Sequence, residues 1–218
     1  LELAGLYPIV DVDTLERAGV PLVAFAERVL AARPPVLQLR AKSSGARATL
    51  ELLRDLVPRC RAAGTLLFAN DRPDLALLAG ADGVHVGQGD LPLPEVRRFA
   101  PALRVGVSTH TLAELERTLA ERPDYVAFGP VFATASKRDH EPVVGLDGLV
   151  RAHELAQAAK VPLVAIGGID LERAAHAGAH AEAAAIIGAL LPNGSSLDAV
   201  TERALALHHA VLAARRGT

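Results

Sequence analysis

Methionine and tryptophan are absent from the 218 residues, tyrosine occurs only twice and cysteine once. The single Cys60 permits no internal disulfide, which agrees with a reducing compartment, and no histidine lies near it in sequence to make a catalytic pair. It reads as buried and inert. No stretch approaches the ~20 apolar residues of a membrane span, and the N-terminus has neither the basic nor the apolar region of a secretory signal. A soluble, cytoplasmic protein without a membrane partner is expected. With no methionine and Leu1 in first place, the natural start is expected to be processed or to lie outside this sequence. The formal charge is −2 and the Lys and Arg residues are scattered, which leaves no footprint for nucleic acid. Linkers, low-complexity segments and fixed-period repeats are also missing, and the sequence leaves a homo-oligomer open.

What is present is apolar material in quantity: half the chain is hydrophobic, enough for one sizeable core and one domain over residues 1–218. It is laid out in short apolar runs that turn polar at their ends. The run from Tyr125 breaks at Gly129-Pro130 and leads to Thr134, Ser136 and Lys137. Leu6 to Val10 ends in Asp11 and Asp13, Val36 to Leu39 in Arg40 and Lys42, Leu66 to Ala69 in Asn70 and Asp71, and Gly83 to Gly87 in Gln88 and Asp90. Arg104 to Ser108, Val161 to Ile166 and Ala183 to Ile187 are the remaining runs.

Helical segments alternate with them. Thr14 to Ala32 spaces its apolar residues along one face up to the Pro34-Pro35 stop, and Gly45 to Ala63 ends at Gly64, where a left-handed cap is expected. Pro73 to Gly80 and Pro92 to Ala100 are shorter, and Thr111-Leu-Ala-Glu114 is a capping box. Leu146 to Ala159, a helix after Asp170 and a last helix capped by Ser195 or Ser196 complete the set. Eight strands alternating with helices predict an α/β chain with parallel strands closed into a TIM barrel. The rival, an open doubly wound sheet, would carry Gly-x-Gly-x-x-Gly after its first strand, and this chain does not.

In such a barrel the loops after the strands form the active site, at the C-terminal ends of the strands. The groups expected there are Gln38, Arg40, Lys42, Asn70, Asp71, Gln88, Asp90, Ser108, His110, Thr134, Ser136 and Lys137. Arg and Lys suit phosphate oxygens, and two carboxylates without a His or Cys partner suit Mg²⁺, which completes its shell with water and substrate phosphate. Together they point to a diphosphate. Plainer readings stand beside this one. Asp71 and Asp90 both precede helices and, taken singly, read as caps. Arg40 and Lys42 read equally as solvated charges, His85 as a packed, hydrogen-bonded core residue and His110 as a loop brace. Gly167-Gly168 is either a tight turn or the barrel's phosphate site. The number of complementary groups at one end favours the functional reading.

The residues also carry a resemblance. Gln38-Leu-Arg-Ala-Lys42, Asn70-Asp-Arg72, the run from Asp82 to Asp90, Gly106-Val-Ser-Thr-His110, Phe128 to Lys137 and Ala165-Ile-Gly-Gly-Ile169 resemble, in order, the motifs of the thiamine phosphate synthase family. The resemblance implies a transferase that joins 4-amino-2-methyl-5-hydroxymethylpyrimidine diphosphate to a thiazole phosphate and releases thiamine phosphate and diphosphate. It implies Gln38, Arg40, Lys42, Asn70 and Lys137 as holders of the diphosphate, with Arg40, Lys137 and Ser108 serving catalysis, and Asp71 and Asp90 as Mg²⁺ ligands. It further implies Ser108 near the diphosphate or pyrimidine, Thr134 and Ser136 on the thiazole, and Gly168 with Ile187 and Gly188 at its phosphate. The chain departs from the family's pattern at Ala41 and Ser136 and, more strongly, between Gly178 and Gly188, where two extra residues enter and Gly188 replaces a serine. A thiazole tautomerase of the same superfamily would lack the diphosphate and Mg²⁺ residues, and a non-catalytic thiamine phosphate sensor rests on the irregular eighth loop alone.

Overall fold

The apolar runs become eight parallel strands among the residues described in the computed structural model, which are 2–134, 142–192 and 196–215. They are β1 (Gly5–Asp11), β2 (Val36–Arg40), β3 (Leu66–Asn70), β4 (Gly83–Val86), β5 (Arg104–Thr109), β6 (Tyr125–Phe128), β7 (Leu163–Ile166) and β8 (Ala183–Ile186). Each pairs with the next in sequence and β8 pairs with β1, so the sheet is a closed TIM-type barrel with no free edge. Parallel neighbours require crossovers, and these carry the helices α1 (Val12–Arg17), α2 (Leu22–Leu30), α3 (Ala46–Ala63), α4 (Pro73–Ala79), α5 (Leu93–Phe99), α6 (Leu112–Ala120), α7 (Gly145–Ala159) and α8 (Leu171–Gly178), while α9 (Asp198–Arg215) follows β8.

Local chemistry sets where these elements stop, and it corrects one expectation. Residues 14–32 do not form one helix: Gly19 takes a left-handed φ of +66°, and Pro21 stands as the extended N-cap of α2, so α1 and α2 are separate. Asp11 caps α1 by accepting from the Thr14 N–H at 2.9 Å. Gly64 supplies the expected left-handed cap of α3. Thr111 accepts from Glu114 N–H at 3.2 Å, whereas the Glu114 carboxylate reaches past Thr111 to the N–H of His110 at 2.8 Å. That shifts the second half of the capping box one residue toward the barrel mouth. Before α9, Ser196 accepts from Asp198 N–H at 3.3 Å, and Ser195 lies outside the described residues. Cys60 is buried in α3, and burial pushes its thiol up to about 12.

Alternation along the strands divides the core in two. Leu6, Val10, Leu37, Leu39, Val84 and Val105 face outward against the helices, while Tyr7, Ile9, Val36, Phe68, Tyr125 and Val164 fill the barrel. The plug is aromatic: Tyr125 meets Tyr7 and Phe68 edge-on, with ring centroids 5.8 and 5.6 Å apart. A Cβ on Gly106 would lie 2.0 Å from the Tyr125 ring, so this strand glycine makes the space that the ring fills. The plug closes the lower barrel and leaves the polar strand ends as the floor and walls of a cleft. Among the described residues no helix is long and apolar enough to cross a membrane.

Candidate active site

The cleft brings together residues from all eight strands and the loops that follow them, which sequence spacing alone leaves far apart. Gln38, Arg40, Lys42, Asn70, Asp71, Asp90, Ser108 and Ile187 all line it, joined by Tyr7, Ile9, His85, Gly87 and His110. Its two sides differ. Charged and amide groups at the ends of β2, β3 and β4 make one wall, and Ala127, Val164, Ile166, Ala185 and Ile187 from β6 to β8 and its following residue make an apolar wall opposite. A ligand that carries both a polyanion and a flat ring matches such a division.

On the charged wall the cations are already partnered. Arg40 Nη1 donates to the Asp11 carboxylate, which is 3 % exposed, and Lys42 Nζ donates to Asp71. The Asp11 and Arg40 backbones are direct register partners between β1 and β2, so strand pairing itself sets the first contact. Neither Asp71 nor Asp90 caps a helix, which overturns the plain reading of both. The N-cap positions of α4 and α5 fall on Arg72 and Pro92. Asp71 instead adopts φ +60°, a left-handed conformation that Asp tolerates better than most residues, with its N–H held by the His85 carbonyl at 2.8 Å. Asp90 Oδ2 accepts from Gly87 N–H at 2.7 Å. Burial holds the Asp71 carboxyl above its usual value against the pull of Lys42, and a hydrogen bond with Asp90 adds to the rise. Two carboxylates in contact beside a cleft have the donor chemistry of a hard-cation site.

Several expected residues have other tasks or positions. Ser108 lines the cleft with its Oγ 2.7 Å from His85 Nε2, and its carbonyl accepts from Gln88 Nε2 at 2.7 Å, so Gln88 braces the strand end. His85 is the packed, hydrogen-bonded residue expected. His110 Nδ1 lies 2.6 Å from the Gly129 carbonyl, beside the cis Gly129-Pro130 bond, and so braces a loop as well as lining the cleft. Thr134, Gly168 and Gly188 are not among the residues lining the cleft, and Ser136 and Lys137 lie outside the described residues. Gly188 opens a 3₁₀ turn, Gly188–Leu190, next to the lining residue Ile187.

The loops after β6 and β7 are tied together. Val131 N–H donates to Ile166 O at 2.9 Å and Phe132 N–H to Gly167 O at 3.0 Å. Arg173 Nη1 donates to Gly168 O at 2.9 Å, and its guanidinium sits 5.1 Å from the Phe132 ring centroid. Gly168, at φ +64°, has no room for a side chain, since a Cβ would lie 2.4 Å from Ala133 O.

Sequence reasoning did not single out Tyr7 or Asp11 for the site. Tyr7 sits inside an apolar run and looks like core, and Asp11 looks like a strand terminus. The usable signal for Asp11 was the Asp-x-x-Thr spacing to Thr14, an N-cap pattern that buries a carboxylate at a strand end.

Comparison with known proteins agrees with this architecture. The thiamine monophosphate synthase family matches residues 6–190. The thiamine-phosphate synthase of Anaeromyxobacter dehalogenans is 43% identical over 218 residues, 99% of this chain and 93% of that protein. That of Methanocella arvoryzae is 40% identical over 188 residues, covering 85% of this chain and 86% of its own. Among solved structures, the thiamine phosphate pyrophosphorylase of Pyrococcus furiosus superposes with a TM-score of 0.83 at 28% identity, over 97% of this chain and 96% of that one. With a family match over residues 6–190 and a relative 43% identical over almost the whole chain, the chain belongs to the thiamine monophosphate synthase family.

Proposed function

We propose that this chain is a Mg²⁺-dependent transferase that joins 4-amino-2-methyl-5-hydroxymethylpyrimidine diphosphate to thiazole phosphate, giving thiamine phosphate and diphosphate. The observation that carries the reading is the divided cleft, in which Arg40, Lys42, Asn70, Asp71 and Asp90 face an apolar wall. The charged wall suits the diphosphate and the apolar wall suits the two rings. A tautomerase acting on thiazole phosphate alone has no use for the carboxylate pair and its neighbouring cations.

Asp71 and Asp90 would hold the Mg²⁺, whose contribution is charge stabilisation of the leaving diphosphate. Their fit rests on oxygen-only donors and on the Asp71 carboxyl, which burial first and Asp90 second hold above its usual value, a cost of ionisation that a divalent cation relieves. Arg40 is oriented by Asp11 before any substrate arrives, which spares reorganisation when charge develops. In the reaction the carbon–oxygen bond to the diphosphate breaks, the leaving group takes the electron pair, and the lone pair of the thiazole nitrogen forms the new carbon–nitrogen bond. No proton leaves the reacting atoms, so the site needs positioning, charge and exclusion of water rather than a general base. Lys137, Thr134 and Ser136 are assigned to the diphosphate and thiazole by their motif, and Gly168, Ile187 and Gly188 to the thiazole phosphate. Purified protein given both substrates and Mg²⁺ should form thiamine phosphate and diphosphate in equal amounts. No coupled product, or conversion of the thiazole phosphate alone, would overturn the proposal.

A further inference from the structure

The chain's two tyrosines meet inside the barrel and form the middle of a continuous line of buried hydrogen bonds that ends at the cleft. Gln38 Nε2 lies 2.9 Å from Tyr7 Oη, Tyr7 Oη 2.6 Å from Tyr125 Oη, Tyr125 Oη 2.8 Å from His85 Nδ1, and His85 Nε2 2.7 Å from Ser108 Oγ. All five residues are at most 7 % exposed. A phenol has one proton to give, and a neutral imidazole has one N–H and one lone pair, so a line in which every proton stays within it can run in only two directions. The Gln38 amide donates to Tyr7, and a line in which each phenol spends its one proton on the next member then runs from Tyr7 to Tyr125 and from Tyr125 to His85 Nδ1. Burial pushes the Tyr7 phenol up to about 12 and the Tyr125 phenol well above its usual value, so both keep the protons they pass along.

We propose that this line runs one way, from Gln38 to Ser108, that it fixes His85 as the neutral tautomer protonated at Nε2, and that Ser108 therefore presents its hydroxyl proton to a hydrogen-bond acceptor on the substrate. Tyr7, Tyr125 and His85 are then positioning residues that act through Ser108. A reversed Gln38 amide would reverse every bond, put the proton on His85 Nδ1 and make Ser108 an acceptor, so the two directions exclude each other. Only the role toward substrate rests on the synthase reading; the tautomer does not.

Long-range ¹H–¹⁵N spectra of protein labelled with ¹⁵N-histidine test the tautomer without any turnover. The His85 signals are assigned by their loss in His85→Gln. They should show an unprotonated Nδ1 and a protonated Nε2, and a protonated Nδ1 would overturn the proposal. In Tyr125→Phe, which keeps the ring but not the donor, the Nδ1 signal should move toward the protonated form. Kinetics test the second half. Ser108→Ala and Tyr125→Phe should each lower kcat/KM for the pyrimidine diphosphate about tenfold, and the double variant should be no worse than Ser108→Ala alone. Losses that simply add would show Tyr125 acting by packing alone and would overturn its role through Ser108.

Discussion

Arg40, at the end of β2, is held by the carboxylate of Asp11, at the end of β1, and the same carboxylate caps α1 through Thr14. One buried acid thus fixes both a helix start and a cation that lines the cleft. Asp11→Asn keeps an acceptor for Thr14 and removes the charge that holds Arg40, whereas Asp11→Ala removes both. The alanine variant should be less stable than the asparagine variant by about 1 kcal/mol, the worth of a cap. Both should lose turnover, and product inhibition by diphosphate should weaken with it. Urea unfolding and inhibition kinetics check the two parts separately.

Asp71 carries a pH signature. Its raised carboxyl means that the folded chain binds this proton more tightly than the unfolded chain does. The associated stability is full below the ordinary carboxylate range and is lost as pH rises through the raised folded value. In chelator at neutral pH, Asp71→Asn should therefore melt at a higher temperature than the parent, with the gap closing toward acid. The same substitution should abolish most Mg²⁺-supported turnover. A lower melting temperature at neutral pH would show that the bond to Lys42 outweighs burial.

The two glycines assigned to thiazole phosphate should respond in opposite directions. Gly168→Ala forces a Cβ toward Ala133 O from a left-handed backbone and should raise KM for thiazole phosphate roughly tenfold while sparing the pyrimidine substrate. Gly188→Ser adds a hydroxyl donor beside Ile187 and should lower that KM, by an amount in keeping with one hydrogen bond to an anion, on the order of 1.5 to 3 kcal/mol. Steady-state kinetics with each substrate varied in turn decides both.

Gly106 gives a test confined to the core. Placing a methyl group 2.0 Å from the Tyr125 ring should cost about 1–3 kcal/mol and push the ring out of its hydrogen bonds. Urea denaturation of Gly106→Ala measures it.

The barrel was legible because each buried parallel strand is written as a short apolar run and the first five runs end in polar residues; Val36–Arg40 and Leu66–Asn70 show it most plainly. The α1 and α2 boundary was not, because the apolar spacing continues across Gly19 and Pro21 while the backbone does not. For the site, residue type and strand-end position were enough to gather Gln38, Arg40, Lys42, Asn70, Asp71, Asp90 and Ser108. Pairings were out of reach. Asp11 meets Arg40 only when β1 pairs with β2, and Tyr7 meets Tyr125 only across the barrel interior, 29 and 118 positions apart. Whether an acid before a helix caps it is a matter of one or two residues' register, which is why Asp71 and Asp90 read as caps and are not.

The claim on which the account turns is that the diphosphate and its cation sit on the wall formed by Arg40, Lys42, Asp71 and Asp90. A crystal grown with diphosphate and Mn²⁺, in which anomalous scattering locates the metal, tests it directly. The account predicts the metal between Asp71 and Asp90, with diphosphate oxygens on Arg40 and Lys42. Metal and diphosphate bound elsewhere, with those two carboxylates left free, would contradict it.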